Sequence, residues 1–305
     1  KLGADPTVIN GAALLNWAGA EATGSTRLGR DGPAVLEADE SDRSLLRFEP
    51  DWAVITNISA DHFDLAESEA LFDRFRSQVK RACITTSDAR YAPDAPPETG
   101  PRGSRFRYRG HLVNLGIPGQ HNVANAISAI EACALAGCDR GRAAGALEGF
   151  CGMQRRLEHV GTARGIAVFD DYAHNPAKIR ATWSTLHAAF ARVHCVWRPH
   201  GYGPLRSMLP ALAGVWSEVL AAGDRVLLLP VYDMGGTADR RIATCDLVDA
   251  IDRAGGAGAL PADGYDACRA NLLEHAQPGE AIVCMGARDI GLPVFCRQLV
   301  RELDT

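Results

Sequence analysis

Residues 34–64, AVLEADESDRSLLRFEPDWAVITNISADHFD, contain two short apolar runs, and each leads directly into acidic and polar residues. The runs are Ala34–Leu36 and Trp52–Asn57, and their aliphatic and β-branched side chains are typical of strands buried in a parallel sheet. A third run of this kind is Ala82–Thr86. The sequence therefore predicts strands at these positions, with polar groups following the first two.

A helical pattern lies between the second and third of these strands. Residues Ser68–Lys80 carry Leu71, Phe75 and Val79 at four-residue spacing, which predicts a helix with one apolar face. Strands that alternate with helices indicate an α/β fold with parallel strands and right-handed crossovers.

The remaining segments complete two α/β domains. Residues Tyr91–Gly110 are rich in Pro, Gly, Arg and charge and predict a loop, and helices are predicted at Asn122–Ala136 and Arg140–Gly149. Strands of a second unit are predicted at Ile166–Phe169, Val193–Trp197, Arg225–Leu229 and Ala281–Met285. Its helices are predicted at Lys178–Ala191, Leu205–Leu220, Cys245–Ala254 and Pro293–Leu303. We place the boundary near Val160–Arg164, giving domains of residues 1–161 and 162–305.

Composition and charge argue against several functional classes. The 305 residues are 47% hydrophobic and 23% charged, as in ordinary globular proteins of two domains. A net charge of -5 provides no electrostatic attraction to nucleic acid or anionic membranes. No apolar run approaches the roughly 18 residues of a membrane span, and Lys1–Asn10 is unlike a signal peptide. Nine cysteines without a CxxC pair favour a reducing cytoplasm.

The first candidate site is the acidic segment Glu37–Asp42, EADESD, at the end of a predicted strand. Ligands of open α/β sheets bind outside the carboxyl ends of the strands. Clustered carboxylates repel one another unless a cation or solvent screens them, and hard oxygen ligands suit Mg²⁺. Acidic residues are also favoured in the first turn of a helix. The segment therefore indicates either a magnesium site or a solvated helix start.

The second candidate is Thr56–Asp64, TNISADHFD, which also follows a predicted strand. Asp61, His62 and Asp64 place an imidazole and two carboxylates on one strand-end loop. A single histidine is more often a structural or surface residue, whereas a histidine beside carboxylates on such a loop is a candidate for binding metal or phosphate.

The third candidate is Pro118–Ala126, PGQHNVANA, at the start of a predicted helix. Asn122 could cap the helix through its side chain. Asn125 lies three residues further on, along the same helix face, so both amides could also bind the edge of a base.

Two further candidates flank the domain boundary. Gly152–Glu158, GMQRRLE, has paired arginines that are either surface charges or guanidinium groups for phosphate oxygens. Phe169–Pro176, FDDYAHNP, places acidic residues and a histidine after the first strand of the second domain, where they are expected to line a cleft.

In this order, the five segments resemble the motifs of the Mur ligase superfamily, which includes folylpolyglutamate and cyanophycin synthetases. The resemblance spans nearly the whole chain, from GADPTVINGA to GARDIG, and EADESD followed by TNISADH is its most specific part. It implies a central ATP-binding domain of mostly parallel strands flanked by helices, incomplete at its amino terminus, over residues 1–161. A Rossmann-like amino-acid-binding domain is then implied over residues 162–305.

The resemblance also implies roles for particular residues. Glu37 matches a Mg²⁺ ligand near the γ-phosphate of ATP, with Glu40 as a second candidate, and His62 matches a histidine that holds a second Mg²⁺. His121, Asn122 and Asn125 match the adenine-binding segment.

The other implied roles lie at the domain junction and in the second domain. Arg156 matches an arginine that contacts phosphates across the domain junction, and Asp171 and His174 match a loop that closes over ATP. The implied catalytic set is thus Glu37, His62, Arg156, Asp171 and His174. Loops near the amino-acid substrate are matched by Arg198, His200, Arg206 and Arg288.

The sequence departs from the family pattern in three places. The Gly-rich phosphate loop with its Lys and Thr is expected upstream of Lys1, and no GxxxxGK[ST] occurs within the 305 residues. Residues Arg105–Leu115 form a shorter stretch than is usual. The segments DYAHNP, PHGYGP and YDMGGTADRR also differ from the usual alanine-ligase forms, which leaves the amino-acid substrate open.

The implied activity is amide-bond formation between a carboxylate and an amine through an acyl phosphate, with ATP and Mg²⁺ as cofactors. The favoured substrates are a UDP-muramic acid and L-alanine, in peptidoglycan synthesis. A recycled tripeptide, another acid, or a non-catalytic protein that lost its phosphate loop are the alternatives. A dinucleotide-binding oxidoreductase is disfavoured because no GxGxxG follows a predicted strand. We expect a cytoplasmic monomer or homodimer that binds small molecules and neither nucleic acid nor membrane.

Overall fold

The computed structural model describes residues 2–19, 23–30, 32–58, 63–100 and 103–304. The chain divides into two compact units, Lys1–Gly152 and Met153–Thr305. The boundary predicted after residue 161 lies inside strand β9 (Glu158–Ala163), which pairs with its neighbour β10 in the second unit. The roles assigned to the two domains remain predictions.

The first unit contains three small sheets among its described residues. Its strands are β1 Thr7–Ile9, β2 Thr26–Arg27, β3 Ala34–Leu36, β4 Trp52–Ile55, β5 Ala82–Thr85, β6 Glu98–Gly100, β7 Gly103–Tyr108 and β8 His111–Leu115. Its helices are α1 Leu65–Gln78, α2 Gln120–Leu135 and α3 Arg140–Ala146, with 3₁₀ turns at Ser44–Arg47, Ala89–Tyr91 and Leu147–Gly149. Strand β1 is parallel to β3 and antiparallel to β2, β4 is parallel to β5, and β6, β7 and β8 form an antiparallel sheet.

The predicted strands and helices of this unit are confirmed with small shifts of their ends, but the loop prediction for Tyr91–Gly110 is wrong in its second half. Strands β6 and β7 occupy nine of its twenty residues. In β7, Ser104, Phe106 and Tyr108 are buried while Arg105 and Arg107 are exposed. This alternation has the period of a strand with one buried face. The high content of charge and Gly in the segment obscured the pattern.

A buried carboxylate joins this antiparallel sheet to the helices. Glu131 of α2 accepts hydrogen bonds from Arg140 at 2.8 Å, from the Tyr108 hydroxyl at 2.8 Å and from Arg109 at 3.1 Å. The hydrogen bonds from Arg140 are the main reason that the pKa of Glu131 falls to about 2. The Glu131 carboxylate therefore connects α2, α3 and the β7–β8 hairpin through a network of charge-assisted hydrogen bonds.

The second unit has one six-stranded sheet covered by helices on both faces. Its strands are β9 Glu158–Ala163, β10 Ile166–Asp171, β11 Val193–Trp197, β12 Arg225–Leu228, β13 Ala259–Pro261 and β14 Ala281–Met285. Its helices are α4 Pro176–His187, α5 Tyr202–Val219, α6 Thr244–Arg253, α7 Tyr265–His275 and α8 Gly291–Leu303. The strand order is β13-β12-β11-β14-β10-β9, and only β9 among these strands runs antiparallel to its neighbour.

The sheet order determines where a ligand can bind. Strand β14 inserts between β10 and β11, so the chain turns in opposite directions from the carboxyl ends of these central strands. Such a switch point is the usual ligand crevice of a doubly wound sheet. The predicted α/β class is therefore confirmed, and the residues that follow β10, β11 and β14 form the relevant edge.

Aromatic packing holds one face of this sheet. Trp183, Trp197 and Trp216 are almost fully buried, and the ring of Trp216 meets the other two edge-on at centroid distances of 5.2 and 6.0 Å. Strand β10 is buried along its whole length, as expected for a strand with helices on both faces. Within the described residues, no helix is long and apolar enough to cross a membrane.

We predict that Glu131→Gln destabilises the first unit by about 2–3 kcal/mol at pH 7, because two arginines lose their buried counter-ion. The pKa of Glu131 is lowered in the folded state, so this stability is present above pH 4.5 and is lost as the pH falls toward about 2. Urea unfolding of the wild type and the variant between pH 3 and pH 7 measures the difference.

Glu218→Gln is the matched control, because Glu218 also accepts two hydrogen bonds from one arginine, Arg180, but is 56% exposed. We expect this change to cost less than about 1 kcal/mol. Equal losses in the two variants, or a pH-independent loss in Glu131→Gln, would contradict the assignment.

Candidate active site

The first part of the site is the end of strand β3, where Glu37 lies beside the end of β1. The parallel register pairs Ile9 with Leu36, and the Glu37 N–H donates to the Ile9 carbonyl oxygen at 2.9 Å. The Gly11 N–H donates to Glu37 Oε2 at 2.6 Å. A Cβ atom at residue 11 would stand 3.3 Å from this oxygen. The backbone therefore orients the Glu37 carboxylate, which is otherwise exposed.

The four acidic residues of this segment divide into two kinds. Asp39 accepts hydrogen bonds from the Ser41 N–H and hydroxyl, and Asp42 accepts one from the Ser44 N–H. The hydrogen bonds from Ser44 lower the pKa of Asp42. These two aspartates stabilise turns, so Glu37 and Glu40 remain as the candidate ligands for a cation.

The predicted metal site is only partly covered by the structure. His62 and Asp61 lie outside the described residues. Asp64 caps helix α1 by accepting a hydrogen bond from the Glu67 N–H at 2.8 Å, which is a structural role. Among the described parts of the chain, no three His, Cys, Asp or Glu side chains come together as a metal site. The assignment of Glu37, Glu40 and His62 to Mg²⁺ therefore stays a prediction.

The residues predicted to bind adenine occupy the first turns of helix α2. The helix begins at Gln120 with Gly119 as its N-cap, so the expectation that Asn122 caps the helix is wrong. The Asn122 side-chain amide instead donates to the Pro118 carbonyl oxygen at 2.7 Å and closes the preceding turn. His121 and Asn125 are exposed on the helix surface. Their proposed contact with a base is compatible with this exposure.

Asp171 lies at the end of β10 and is almost fully buried. Its carboxylate accepts hydrogen bonds from the N–H groups of Ala173 at 2.7 Å and Leu157 at 2.9 Å, and from the Thr182 hydroxyl at 3.3 Å. Burial outweighs these donors and raises the pKa of Asp171. In this structure Asp171 thus connects residues 153–157, the β10–α4 loop and helix α4.

His174 and Arg156 both contact Tyr172 near the same strand end. The exposed Arg156 guanidinium lies over the Tyr172 ring, 5.5 Å from its centroid. The ring of His174 contacts Tyr172 edge-on at 5.5 Å, and its Nδ1 is 2.8 Å from the Tyr172 carbonyl oxygen. The His200 ring follows, 5.0 Å from His174. The sheet topology has therefore brought together three of the predicted residues: Arg156, His174 and His200.

The predicted substrate residues Arg198, Arg206 and Arg288 differ in their surroundings. Arg198 is held by Asp289 at 2.6 Å and by the Pro230 carbonyl oxygen at 3.0 Å. Arg206 lies on helix α5 and pairs with Asp239 at 3.2 Å. Arg288 is exposed and forms no hydrogen bond or ion pair with the described residues.

The region around His200 is positively charged. Burial is the main cause that lowers the pKa of His200, and the positive charges of Arg288 and Lys178 lower it further. A neutral imidazole near two cations is suited to the recognition of an anion. Lys178, on the first turn of α4, was not among the predicted residues.

Arg155 is the main residue that the sequence analysis missed. The paired arginines were treated alike, and only Arg156 was assigned a role. In the structure the Arg155 guanidinium is 18% exposed and donates to the Ala287 carbonyl oxygen at 2.9 Å and to that of Gly286. No pattern in the sequence distinguishes a buried Arg155 from a surface one, because its partners lie more than 130 residues away.

The described geometry defines an α/β protein that has acidic side chains at one strand end of the first unit and basic side chains at the strand ends of the second. A family model described as "Mur ligase, glutamate ligase domain" matches residues 155–288. The UDP-N-acetylmuramate–L-alanine ligase of Mycolicibacterium vanbaalenii is 31% identical over 346 aligned positions, which cover 99% of this chain and 69% of that protein.

The chain therefore belongs to the Mur ligase family, and the resemblance seen in the sequence is confirmed. Homologues in this family are ATP-dependent ligases that form carbon–nitrogen bonds. The chain spans between 60% and 69% of the length of the first relatives it matches.

Solved structures agree on the fold. The UDP-N-acetylmuramate–alanine ligase of Thermotoga maritima superposes with a TM-score of 0.74 at 21% identity, over 98% of this chain and 69% of that one. A MurF ligase from the same organism, solved in complex with ADP, has a TM-score of 0.67 at 13% identity, over 99% of this chain and 73% of that one.

The first prediction for this region concerns the close packing of Gly286. Its φ of 152° falls outside the range that other residues readily adopt, and a Cβ atom there would lie 2.9 Å from the Arg198 carbonyl oxygen and 2.8 Å from Leu292 Cδ1. We expect Gly286→Ala to destabilise the second unit by about 2–4 kcal/mol, from strain and overpacking together. Urea unfolding followed by tryptophan fluorescence reports this unit through its buried tryptophans.

Gly279→Ala is the control for backbone strain alone, because Gly279 has a φ of 89° and open space around its Cβ position. We expect a loss of about 1–2 kcal/mol there. If both variants lose the same amount, close packing of Gly286 is not important for stability.

Asp170 gives a prediction about pH. Burial raises its pKa to about 6, and this exceeds the lowering effect of Arg155 at 3.4 Å, while the negative charges of Glu158 and Asp171 raise the pKa further. Because its pKa is higher in the folded state than in the unfolded chain, Asp170 contributes its full stabilisation below about pH 4. This stabilisation is lost as the pH rises through about 6. The loss corresponds to roughly 3 kcal/mol for a shift of about two pKa units.

Asp170→Asn removes this titration, so the stability of the variant relative to the wild type should increase between pH 4 and pH 7. Asp263→Asn, at an exposed position, should leave the pH profile unchanged. Parallel profiles for Asp170→Asn and the wild type would show that Asp170 does not titrate in this range.

Proposed function

We propose that the protein containing this chain uses ATP to join L-alanine to the carboxylate of UDP-N-acetylmuramate in the cytoplasm, as a step of peptidoglycan synthesis. The observation that carries the proposal is the alignment with a UDP-N-acetylmuramate–L-alanine ligase, which extends over 99% of the chain. The oriented carboxylate of Glu37 and the positive edge of the second unit support it, because both suit a reaction between phosphates and carboxylates.

The reaction has two steps in this proposal. The substrate carboxylate attacks the γ-phosphorus of ATP, the bond to the bridging oxygen breaks, and ADP and an acyl phosphate form. The neutral amino group of L-alanine then attacks the acyl carbon, phosphate leaves, and the nitrogen loses one proton and keeps the other as the amide N–H. Phosphoryl transfer of this kind depends mainly on positioning and charge neutralisation.

Glu37 and Glu40 fit the requirements of a Mg²⁺ site, because they are oxygen ligands and the Glu37 carboxylate is oriented by the Gly11 N–H. A bound Mg²⁺ would neutralise the charge on the phosphate oxygens during transfer. We assign Glu37 as the first ligand, with Glu40 and His62 as further ligands. This assignment follows the family pattern together with the observation that Asp39 and Asp42 stabilise turns.

We assign the remaining residues by their exposure and contacts. His121, Asn122 and Asn125 are assigned to adenine, and Arg156 is assigned to phosphate oxygens because it is exposed. Asp171 acts by orientation, since its carboxylate is occupied by the Leu157 and Ala173 N–H groups.

The second unit also holds the groups assigned to the amino-acid substrate. His174, His200 and Arg288 are placed near one another by the strand ends, and they are suited to the carboxylate of the amino acid. Arg198 and Arg206 already have carboxylate partners, Asp289 and Asp239, so we assign them to loop structure around this site.

The test is phosphate release by the full-length gene product with Mg-ATP and UDP-N-acetylmuramate, in the presence and absence of L-alanine. We expect release that depends on L-alanine. Glu37→Gln should lower kcat/KM on the order of 100-fold, because a charged ligand for the cation is lost.

Asp39→Asn is the matched control within the same acidic segment, since its oxygen can still accept the hydrogen bonds of Ser41. Because the turn is retained, we expect the kcat/KM of Asp39→Asn to stay within about threefold of the wild-type value. Release that requires a peptide in place of L-alanine would indicate a different amine substrate. Equal effects of the two substitutions would argue against Glu37 as a metal ligand.

A further inference from the structure

Arg155 connects three segments of the second unit through its side chain. Its guanidinium donates to the carbonyl oxygens of Gly286 and Ala287, which follow strand β14. The same group lies 5.2 Å above the centre of the Tyr172 ring and 3.4 Å from Asp170. The planar fork of an arginine is suited to holding two carbonyl groups at once.

The backbone of Arg155 is fixed as well. Its N–H donates to Glu158 at 3.0 Å, and its carbonyl oxygen accepts from the Tyr172 N–H at 2.8 Å. Arg155 has a φ of 57° and Leu157 a φ of 47°, both in the left-handed region that non-glycine residues rarely adopt. Because Arg155 and Leu157 flank Arg156, their backbone conformation determines the direction in which the Arg156 side chain projects.

The loop that carries Arg288 is held from two sides. Arg155 binds the carbonyl groups of Gly286 and Ala287, and the buried Asp289 binds Arg198 at 2.6 Å and the Tyr265 hydroxyl at 2.5 Å. Arg288 is the charged side chain of this loop that is exposed, and the other exposed side chain between β14 and α8 is the apolar Ile290. The surrounding contacts therefore determine the position of its charge.

A continuous row of rings lies between the two exposed arginines. Arg156 lies over Tyr172, which contacts His174, and His174 contacts His200 at a centroid distance of 5.0 Å. The positive charge of Arg288 acts on His200 at the other end of the row. Both arginines are exposed, and Arg155 is the residue that connects their two backbone segments.

We propose that Arg155 is a positioning residue that holds Arg156 and Arg288 at the two ends of this row, where Arg156 binds the oxygens of a polyphosphate and Arg288 faces the carboxylate of the amino-acid substrate. The proposal deepens the proposed function in that ATP would provide the polyphosphate. Arg155 itself does not contact the anion in this proposal, because its side chain is only 18% exposed and is directed toward the two carbonyl groups and Asp170. The paired-arginine motif alone predicts neither the role of Arg288 nor the positioning role of Arg155.

The test is calorimetric titration of the full chain with inorganic triphosphate. We expect Arg156→Ala to raise Kd about tenfold, as for the loss of a charge-assisted hydrogen bond, and Arg288→Ala to change it by less than about twofold. Arg155→Met should raise Kd about tenfold although it removes no contact to the anion. Arg155→Lys, which keeps the charge but can reach only part of the carbonyl pair, should give an intermediate value.

Two controls separate positioning from charge. Arg301→Met removes an exposed positive charge from helix α8 of the same unit and should change Kd by less than about twofold. Asp170→Asn removes the weak ion pair of Arg155 but retains the carbonyl contacts, so it should also change Kd by less than about threefold.

Several outcomes would overturn the proposal. These are a wild type that does not bind triphosphate, an unchanged Kd in folded Arg155→Met, or equal losses in Arg155→Met and Asp170→Asn. If Arg155→Met does not fold, Arg155→Lys and the single substitutions of Arg156 and Arg288 decide, and an unchanged Kd in Arg155→Lys or Arg156→Ala, or equal losses in Arg156→Ala and Arg288→Ala, contradicts the proposal. The phosphate-release assay is independent, so failure of the proposed function is recognised separately.

Discussion

The second unit depends on the burial of charged groups at the carboxyl edge of its sheet. Asp171 is 8% exposed and is held by the N–H groups of Leu157 and Ala173. Arg155, which lies 3.4 Å from the adjacent Asp170, binds two carbonyl groups of the loop after β14. An unpaired buried charge would cost several kcal/mol, so each of these groups requires its partners in place. The loops after β10 and β14 and residues 153–157 are therefore arranged together.

This constraint explains how exposed functional groups can be placed by segments that have no regular structure. Arg156 follows Arg155 directly, and Arg288 follows Ala287, so each exposed arginine is adjacent to a buried anchor. The first unit uses the same principle on a smaller scale, because the Gly11 N–H orients the exposed Glu37 carboxylate. In the second unit, buried hydrogen bonds of Arg155 orient the neighbouring exposed arginines. In the first unit, a backbone hydrogen bond orients the Glu37 carboxylate itself, and in both units an exposed group is left for a ligand.

The sequence predicted the strands with continuous apolar runs well, and it failed where the pattern depended on distant partners. Strands β11 and β14 match the predicted ranges because five consecutive buried residues are typical of a central parallel strand. Strand β9 was missed because its residues, EHVGTA, include Gly and polar side chains and are specified by pairing with β10. Strand β7 was missed because its charged residues face outward.

The order of the motifs along the chain, EADESD, TNISADH, PGQHN, RRLE and DYAHNP, was sufficient to establish the α/β class and the family. These features are local, because a strand followed by a polar loop can be recognised in a few residues. Only the tertiary structure distinguished Arg155 from Arg156 and showed that Asp39 and Asp42 stabilise turns. It also brought Arg156, His174, His200 and Arg288 to one edge of a sheet, because β14 inserts between β10 and β11. Partners more than a hundred residues apart are chosen by strand order and burial, and local sequence does not encode either.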